Sequence, residues 1–232
     1  MSLLRAASIA AACAFLTACP TTAVRPPEHR EALPAMRAPD LRGATIYMID
    51  SQASDVQVQV FRAGTFARLG HNHVMTSKHV TGRVWSHPTL DRSGFELEFP
   101  VAQLIVDDSQ ARAAAGSEFP GEIPADDREG TRKNMLRAEV LDAQNHPTIK
   151  LQSVKMSGSA QQPEITTRIT IKGVARDVSV SAAVAIENGR LTAAGQFDIL
   201  QSDFGIKPFS VGGGTLQVQD RLHIAFKIVA RT

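Results

Sequence analysis

Thiol chemistry is almost absent from this sequence. The two cysteines, Cys13 and Cys19, both lie in the first nineteen residues, and no cysteine follows them. If this first segment is an export signal, as its pattern below indicates, Cys13 is removed with it and Cys19 is acylated. The folded part then has no thiol for a catalytic nucleophile, a disulfide or a thiolate metal site.

Large aromatic side chains are also scarce. The chain has one Trp (Trp85) and one Tyr (Tyr47), whereas Val, Ile, Leu and Ala are abundant at alternating positions. Small and medium apolar side chains that line a barrel leave room for an elongated apolar ligand. A tightly packed sandwich would use the same residues, so composition leaves both interpretations open.

The sequence carries no strong charge bias and no nucleophile motif. The net charge is +2 over 232 residues with acidic and basic residues interspersed, which gives no indication of a nucleic-acid partner. No Gly-x-Ser-x-Gly elbow occurs, and Gly212-Gly213-Gly214 lacks the strand-loop-helix context of a phosphate loop. The sequence therefore gives little support for catalysis by a serine nucleophile or for phosphate binding at these glycines.

The N-terminal segment resembles a bacterial lipoprotein signal. Arg5 supplies a positive start, residues 6–15 form an apolar run too short to span a bilayer, and Leu16-Thr17-Ala18 precedes Cys19. This pattern predicts a signal peptide over residues 1–18 and lipidation of Cys19, with a plain secretory signal cleaved nearby as the alternative. The protein would then be lipid-anchored in the cell envelope and face the periplasm.

Residues 19–43 read as a tether between the lipid and the folded domain. They hold five of the twelve prolines and little hydrophobic patterning, so they bury too little apolar surface to fold alone. Pro20, rather than Asp, follows the lipidated cysteine, which favours the outer membrane. Residues 44–232 are predicted to form one domain.

An alternation of apolar and polar residues with a period of two dominates this domain and predicts β-strands. Val56, Val58 and Val60, for example, alternate with Gln57 and Gln59. Strands are predicted over Thr45–Asp50, Asp55–Phe61, Val74–Ser86, Phe95–Val106, Pro147–Met156, Ile165–Ile171, Val178–Ile186, Arg190–Leu200 and Leu222–Ile228.

Turn signals between these strands predict hairpin connections, of which Asn188-Gly189 is a strong one. Short strands at this spacing indicate an antiparallel barrel or sandwich. One segment breaks the pattern, because Asp126-Asp127 followed by Arg128–Leu141 predicts one or two helical turns. Before it, Asp108–Pro124 contains several Gly and Pro residues and is predicted to be a long surface loop.

Three of the seven histidines, His71, His73 and His79, lie within nine residues. On one continuous strand their spacing would place all three on the same face, where they could bind zinc, copper or haem iron. The alternative is a bend whose polar side chains hydrogen-bond the backbone or face a pocket. The spacing alone does not decide between these two.

Three segments in order resemble the YceI-like family over about Thr45 to Arg231. Residues 141–149 (LDAQNHPTI) are similar to the family's turn entering a strand, and residues 169–174 (ITIKGV) to its strand-glycine-valine step. Residues 201–206 (QSDFGI) are similar to its Arg-Ser-Asp-Phe-Gly-Ile segment, with Gln201 where Arg is common. The chain also has two histidines, His71 and His73, where the family usually has one.

The resemblance implies an all-β fold, a single antiparallel lipocalin-like β-barrel with a short helical insertion. It also implies a periplasmic protein that holds a polyisoprenoid or similar lipid, without a cofactor or catalytic activity. We expect the polar head of this ligand near His73, or else His71, and the tail among apolar strand residues. The expected ligand-contacting residues are His71, His73, Phe61, Phe66, Phe99, Ile169 and Phe226. The oligomeric state is not determined by the sequence, and a homodimer is left open.

Overall fold

The computed structural model describes residues 33–36 and 38–232. The predicted signal peptide, Cys19 and most of the predicted tether lie outside these residues. The described part of the tether contains neither strand nor helix, and the carbonyl of Pro34 accepts a hydrogen bond from Arg168 of the folded domain. None of the helices in the described ranges has the length and hydropathy needed to span a bilayer.

Strands dominate the described residues, with two helices inserted between them. The strands are β1 (Thr45–Ile49), β2 (Asp55–Ala63), β3 (His73–Ser77), β4 (Thr81–Ser86), β5 (Gly94–Pro100), β6 (Ile105–Val106), β7 (Thr148–Gly158), β8 (Pro163–Ile171), β9 (Val174–Ser181), β10 (Ala183–Glu187), β11 (Arg190–Leu200), β12 (Ser210–Val211) and β13 (Leu216–Arg231). The helices are α1 (Ser109–Ala115) and α2 (Ala125–Leu136). Every strand pairing is antiparallel, which confirms the predicted all-β antiparallel class.

The long strand β13 is the hub of the sheet. Its residue Leu222 pairs with Ile199 of β11 and with Val60 of β2, so these two strands lie on opposite edges of β13. Farther along, β13 pairs with β1 through Ala230 and Arg231. One arm of the sheet continues from β2 through β3 to β6, and the other from β1 through β4, β5, β7 and β8 to β9.

The ladders do not close the sheet into a ring. Strand β6 ends one arm and β9 ends the other, and no ladder among the described residues joins β6 to β9. The described residues therefore form an open antiparallel sheet with two helices. Closure into a lipocalin-like barrel remains a prediction.

The single strand predicted over Val74–Ser86 is wrong. Strand β3 ends at Ser77 and β4 begins at Thr81, with a short connection between them. Lys78 and His79 are both exposed, so the alternation of inward and outward residues breaks there, and Val80 is fully buried. The alternation of apolar and polar residues in the sequence does not reveal this break, because apolar residues continue directly after the connection.

Two other predicted strands are also interrupted. Phe95–Val106 is broken by a short 3-10 turn over Val101–Gln103, directly after Pro100, whose ring removes a backbone donor from any continuing ladder. Val178–Ile186 divides at Ala182 into β9 and β10. The predicted Asn188-Gly189 hairpin is confirmed, since both residues have positive φ, 50° and 72°, as a tight turn between β10 and β11 requires.

The segment predicted as a long loop, Asp108–Pro124, contains helix α1. The carboxylate of Asp108 accepts hydrogen bonds from the backbone N–H groups of Gln110 at 3.1 Å and Ala111 at 3.0 Å, which caps the helix. The alanines that follow favour helix. The glycine and proline residues on which the loop prediction rested lie after the helix, from Gly116 onward.

The start of β4 requires glycine at position 82. Gly82 has φ +127°, and a Cβ atom there would lie 2.1 Å from the carbonyl oxygen of Glu96 on β5.

We expect Gly82→Ala to lower the free energy of unfolding by roughly 2–4 kcal/mol, measured by urea denaturation. The matched control is Gly130→Ala in α2, where no atom lies within 4 Å of the added Cβ and helix propensity predicts a gain of about 1 kcal/mol. Equal effects of the two substitutions would contradict this account.

Candidate functional site

An apolar cavity of about 360 Å³ lies against the inner face of the sheet. Alternate residues of the strands line it, such as Val56, Val58 and Val60 of β2, because successive side chains of a strand point to opposite faces. Among the described residues that line the cavity, none is Asp, Glu, Lys or Arg. The site is therefore suited to an uncharged, apolar guest.

Polar side chains are few along the cavity, and most of them lie toward its two ends. Toward α2, the lining draws on the large core cluster that includes Met135 and Phe99, and it has polar groups from His73, Asn134 and Gln201. At the other end, the lining includes Met156 and Ile165 of a small core cluster. Its polar groups there come from Ser86, His87 and Ser93. Thr167 is the polar lining residue at the middle of β8.

His73 is held at the cavity wall by a buried carboxylate. Its Nδ1 lies 2.6 Å from Oδ2 of Asp107, whose side chain is fully buried. Oδ1 of the same carboxylate accepts hydrogen bonds from the Val74 backbone N–H at 2.9 Å and from Arg112 Nη1 at 2.7 Å. Both oxygens of Asp107 are thus used, and the imidazole ring is fixed on one side.

Arg112 of α1 joins this carboxylate to the surrounding loops. Besides Asp107, its guanidinium donates to the carbonyl oxygens of Asn72 at 2.7 Å, Pro120 at 3.1 Å and Gly121 at 3.1 Å. The residue is 2% exposed. A buried guanidinium requires this many acceptors, because each unpaired N–H would cost about the free energy of a lost hydrogen bond.

Asp107 ionises more readily than an ordinary aspartate. Burial on its own raises the pKa of this carboxyl, but the hydrogen bonds from His73 and from the Val74 N–H, together with the charges around it, lower the pKa below its usual value. The carboxylate therefore stays ionised in the folded protein at neutral pH and acts only as an acceptor.

Strand parity explains why His73, and not His71, reaches the cavity. Strand β3 begins at His73, so His73 and Met75 line the cavity, while Val74 between them does not. His71 precedes the strand and is exposed, with its ring centroid 6.3 Å from that of His73. Since Nδ1 of His73 is engaged by Asp107, Nε2 is the ring nitrogen left for a ligand.

Four of the seven expected ligand-contacting residues line the cavity, namely His73, Phe99, Ile169 and Phe226. The other three do not. Phe61 packs on Phe119 of the loop after α1, with ring centroids 5.4 Å apart, while Phe66 and His71 are exposed. The structure thus separates the expected set into a cavity group and an outer group.

The three-histidine metal site does not form, because it depended on a continuous strand from His73 to His79. Strand β3 ends at Ser77, and His79 lies in the exposed connection beyond it. Within residues 33–36 and 38–232, no three His, Cys, Asp or Glu side chains converge in a way that could hold a metal ion. The polar bend, rather than the metal cluster, describes this segment.

The sequence reasoning missed Asp107 and Arg112, whereas the bend that it gave as an alternative for the histidine segment is held by Asn72. Asn72 is buried, and its amide accepts from the Arg62 backbone N–H at 2.9 Å and donates to the Glu118 carbonyl at 2.8 Å, which fixes the bend before β3. The acidic pair Asp107-Asp108 before an alanine-rich run could have indicated a capped helix. Nothing in the sequence indicates that Asp107 pairs with a histidine 34 residues earlier.

Comparisons with known proteins identify a family and solved structures with a similar fold. The family model described as YceI-like domain matches residues 47–230. The crystal structure of BcnA from Burkholderia cenocepacia superposes with a TM-score of 0.58 at 18% identity and covers 78% of this chain and 99% of that one. A polyisoprenoid binding domain from Saccharophagus degradans superposes with a TM-score of 0.51 at 10% identity and covers 80% and 98%. No curated protein sequence matches significantly.

Removal of the buried cation tests the Asp107 network. Arg112→Met would leave a buried carboxylate without its guanidinium, so we expect a loss of roughly 3–5 kcal/mol in the free energy of unfolding. The control is Arg221→Met, which breaks an ion pair of 2.8 Å to Asp198, against 2.7 Å for Arg112 and Asp107, but on a side chain that is 63% exposed. There we expect a loss below about 1 kcal/mol, both measured by urea denaturation. Similar losses in the free energy of unfolding for the two variants would show that the burial of Asp107 does not make its ion pair more important for stability.

Acid titration tests the charge of Asp107. Because the pKa of Asp107 is lower in the folded chain than in the unfolded one, its contribution to stability is fully present above the unfolded pKa of about 3.9 and is lost as pH falls through the folded value. The stability gap between the wild type and Asp107→Asn should therefore be constant above about pH 5 and shrink below about pH 4. The measurement is the urea midpoint of both proteins from pH 7 to pH 3, and a gap that stays constant would contradict it.

Proposed function

Because this chain belongs to the YceI-like family, we propose that it is a binding protein that holds a polyisoprenoid or similar long-chain amphiphile in the cavity of its sheet. The observation that carries the proposal is the cavity itself, about 360 Å³, uncharged and apolar in its described lining, with a fixed polar group, His73, at one end. Such a site is suited to bind and orient an apolar ligand.

The size of the cavity agrees with a ligand of this kind. Its volume equals the liquid volume of roughly a dozen water-sized groups, at about 30 Å³ each. Burying a dozen methylene groups at roughly 0.8 kcal/mol each provides a transfer free energy of about 10 kcal/mol, from which the cost of association is subtracted. Affinity can thus arise from apolar burial without a covalent step.

The polar head of the ligand lies beside His73 in this proposal, and the tail runs along Phe99, Ile169 and Phe226 toward the far end. The fixed imidazole gives the ligand a direction in a lining that is otherwise nearly uniform. One of the solved structures compared above is described as a polyisoprenoid binding domain, which supports the ligand class through the shared fold alone.

The proposal extends to the setting of the protein. A lipid on Cys19 would anchor the chain to the outer membrane, with the domain facing the periplasm and the sheet closed around its guest as a barrel. The support is the signal-like pattern of the first nineteen residues. A lipid-anchored carrier beside a membrane is well placed to exchange an apolar ligand with that membrane.

Native mass spectrometry of the full chain, purified without detergent, tests the ligand. We expect a mass above that of the polypeptide and its anchor, and release of a long-chain lipid on denaturation. The protein stripped of lipid should then take up an added isoprenoid. A bare mass together with no uptake would refute lipid binding.

Matched variants locate the ligand in the cavity. Ala193 of β11 lines the cavity, whereas Ala185 of the paired strand β10 is exposed and does not. Ala193→Phe should weaken uptake by about tenfold or more, since the ring occupies space that the ligand needs, and Ala185→Phe should leave uptake unchanged. Equal uptake by both variants would place the ligand elsewhere.

A further inference from the structure

The position of one proton in the His73–Asp107 pair follows from the contacts of the carboxylate. Asp107 is ionised and can only accept hydrogen bonds, and Oδ2 lies 2.6 Å from Nδ1 of His73. Nδ1 must therefore carry the proton of this hydrogen bond. A neutral imidazole carries one N–H proton. With that proton on Nδ1, Nε2 is unprotonated and acts as an acceptor.

Asp107 has a cationic partner in Arg112 besides its hydrogen bond to His73. The charge of Asp107 is already balanced by Arg112 at 2.7 Å, so the pair leaves no net negative charge for a second cation. The other titratable side chain against this ring is His71, which adds no negative charge. No carboxylate belongs to the described lining of the cavity, and a charge next to so apolar a space would lose its hydration.

The remaining polar groups at this end of the cavity do not discriminate between ligands. Gln201, Asn134 and Thr131 carry amide and hydroxyl groups, which both donate and accept hydrogen bonds. No Lys or Arg is present in the described lining to pair with a phosphate or carboxylate head. Among the described lining residues at this end of the cavity, Nε2 of His73 is the group whose preference is fixed by a hydrogen bond on the other side of its ring.

We propose that His73 makes the cavity selective for amphiphiles whose head donates a hydrogen bond, namely long-chain alcohols, over ethers and phosphate esters of the same chain. This inference rests on the proposed function, since it assigns the head group of the same ligand. His73 acts in it as a specificity-determining residue, and Asp107 and Arg112 act through it by fixing the tautomer.

Three probes with one tail separate the head groups: farnesol, farnesyl methyl ether and farnesyl phosphate. Each is titrated into the full chain after extraction of co-purified lipid, and affinity is measured by displacement of a fluorescent apolar probe. Farnesol should bind about tenfold or more tightly than the ether, because the ether leaves Nε2 buried without a donor. Farnesyl phosphate should bind more weakly than farnesol as well.

Two variants connect this selectivity to His73. His73→Phe keeps a ring of similar size but has no acceptor in place of Nε2, and we expect its alcohol-to-ether affinity ratio to fall to about one. The affinity for the ether itself should change little. His79→Phe, in the exposed connection after β3 and outside the cavity lining, is the matched control and should keep the wild-type ratio. If His73→Phe does not fold, the comparison of farnesol with its ether on the wild-type protein still decides the inference.

The outcomes separate this inference from the proposed function. Farnesol and its ether binding equally well would overturn the head-group inference and leave apolar binding intact. Preference for farnesyl phosphate would also overturn it, because it would indicate an imidazolium. Failure of all three probes to bind would instead count against the proposed function.

Discussion

The buried carboxylate of Asp107 is the interaction on which the site depends. A charge removed from water is tolerated only when every lone pair and the charge itself are compensated, and here a guanidinium, a backbone N–H and an imidazole do so together. These partners come from β3 and α1, while Asp107 itself follows β6. One group therefore helps to fix the relative positions of a strand, a sheet edge and a helix.

The polar network and the apolar cavity have complementary roles. Apolar burial is non-directional, so a uniform lining of Val, Ile and Phe provides affinity but leaves a long ligand free to slide or invert. A single fixed acceptor at one end adds direction. Because Asp107 holds the imidazole of His73 by its Nδ1, the ring cannot turn to present a donor without giving up a hydrogen bond in a buried place.

Local patterns in the sequence predicted the strands but not the connections between distant ones. The period of two identified β2, β7, β8, β11 and β13, because apolar residues alternate with polar ones along much of each strand. The same pattern predicted one strand across β3 and β4, because alternation does not show that Lys78 and His79 are both exposed. It predicted the antiparallel class but not the role of β13, whose partners β1, β2 and β11 are decided by register over long sequence separations.

The site was predictable to the extent that it is local. His73, Phe99, Ile169 and Phe226 lie on strand faces that alternation identifies, and they line the cavity. Phe61 and Phe66 are also aromatic and close to β3, but residue type does not distinguish the inner face from the outer one at the end of a strand. Asp107 was not recognised, because its partner becomes a neighbour only when β6 pairs with β3.

The cavity also bears on the stability of the empty protein. At about 24 cal/mol per Å³, the value found for voids in protein cores, a space of about 360 Å³ corresponds to roughly 9 kcal/mol relative to a filled interior. This is comparable with the whole stability of a typical domain, about 5–15 kcal/mol. An interior filled by larger side chains would avoid this loss. This chain instead has medium-sized aliphatic residues around the space. A ligand that binds the folded state restores the missing contacts and stabilises the domain by mass action, so occupancy and folding are coupled in the same residues.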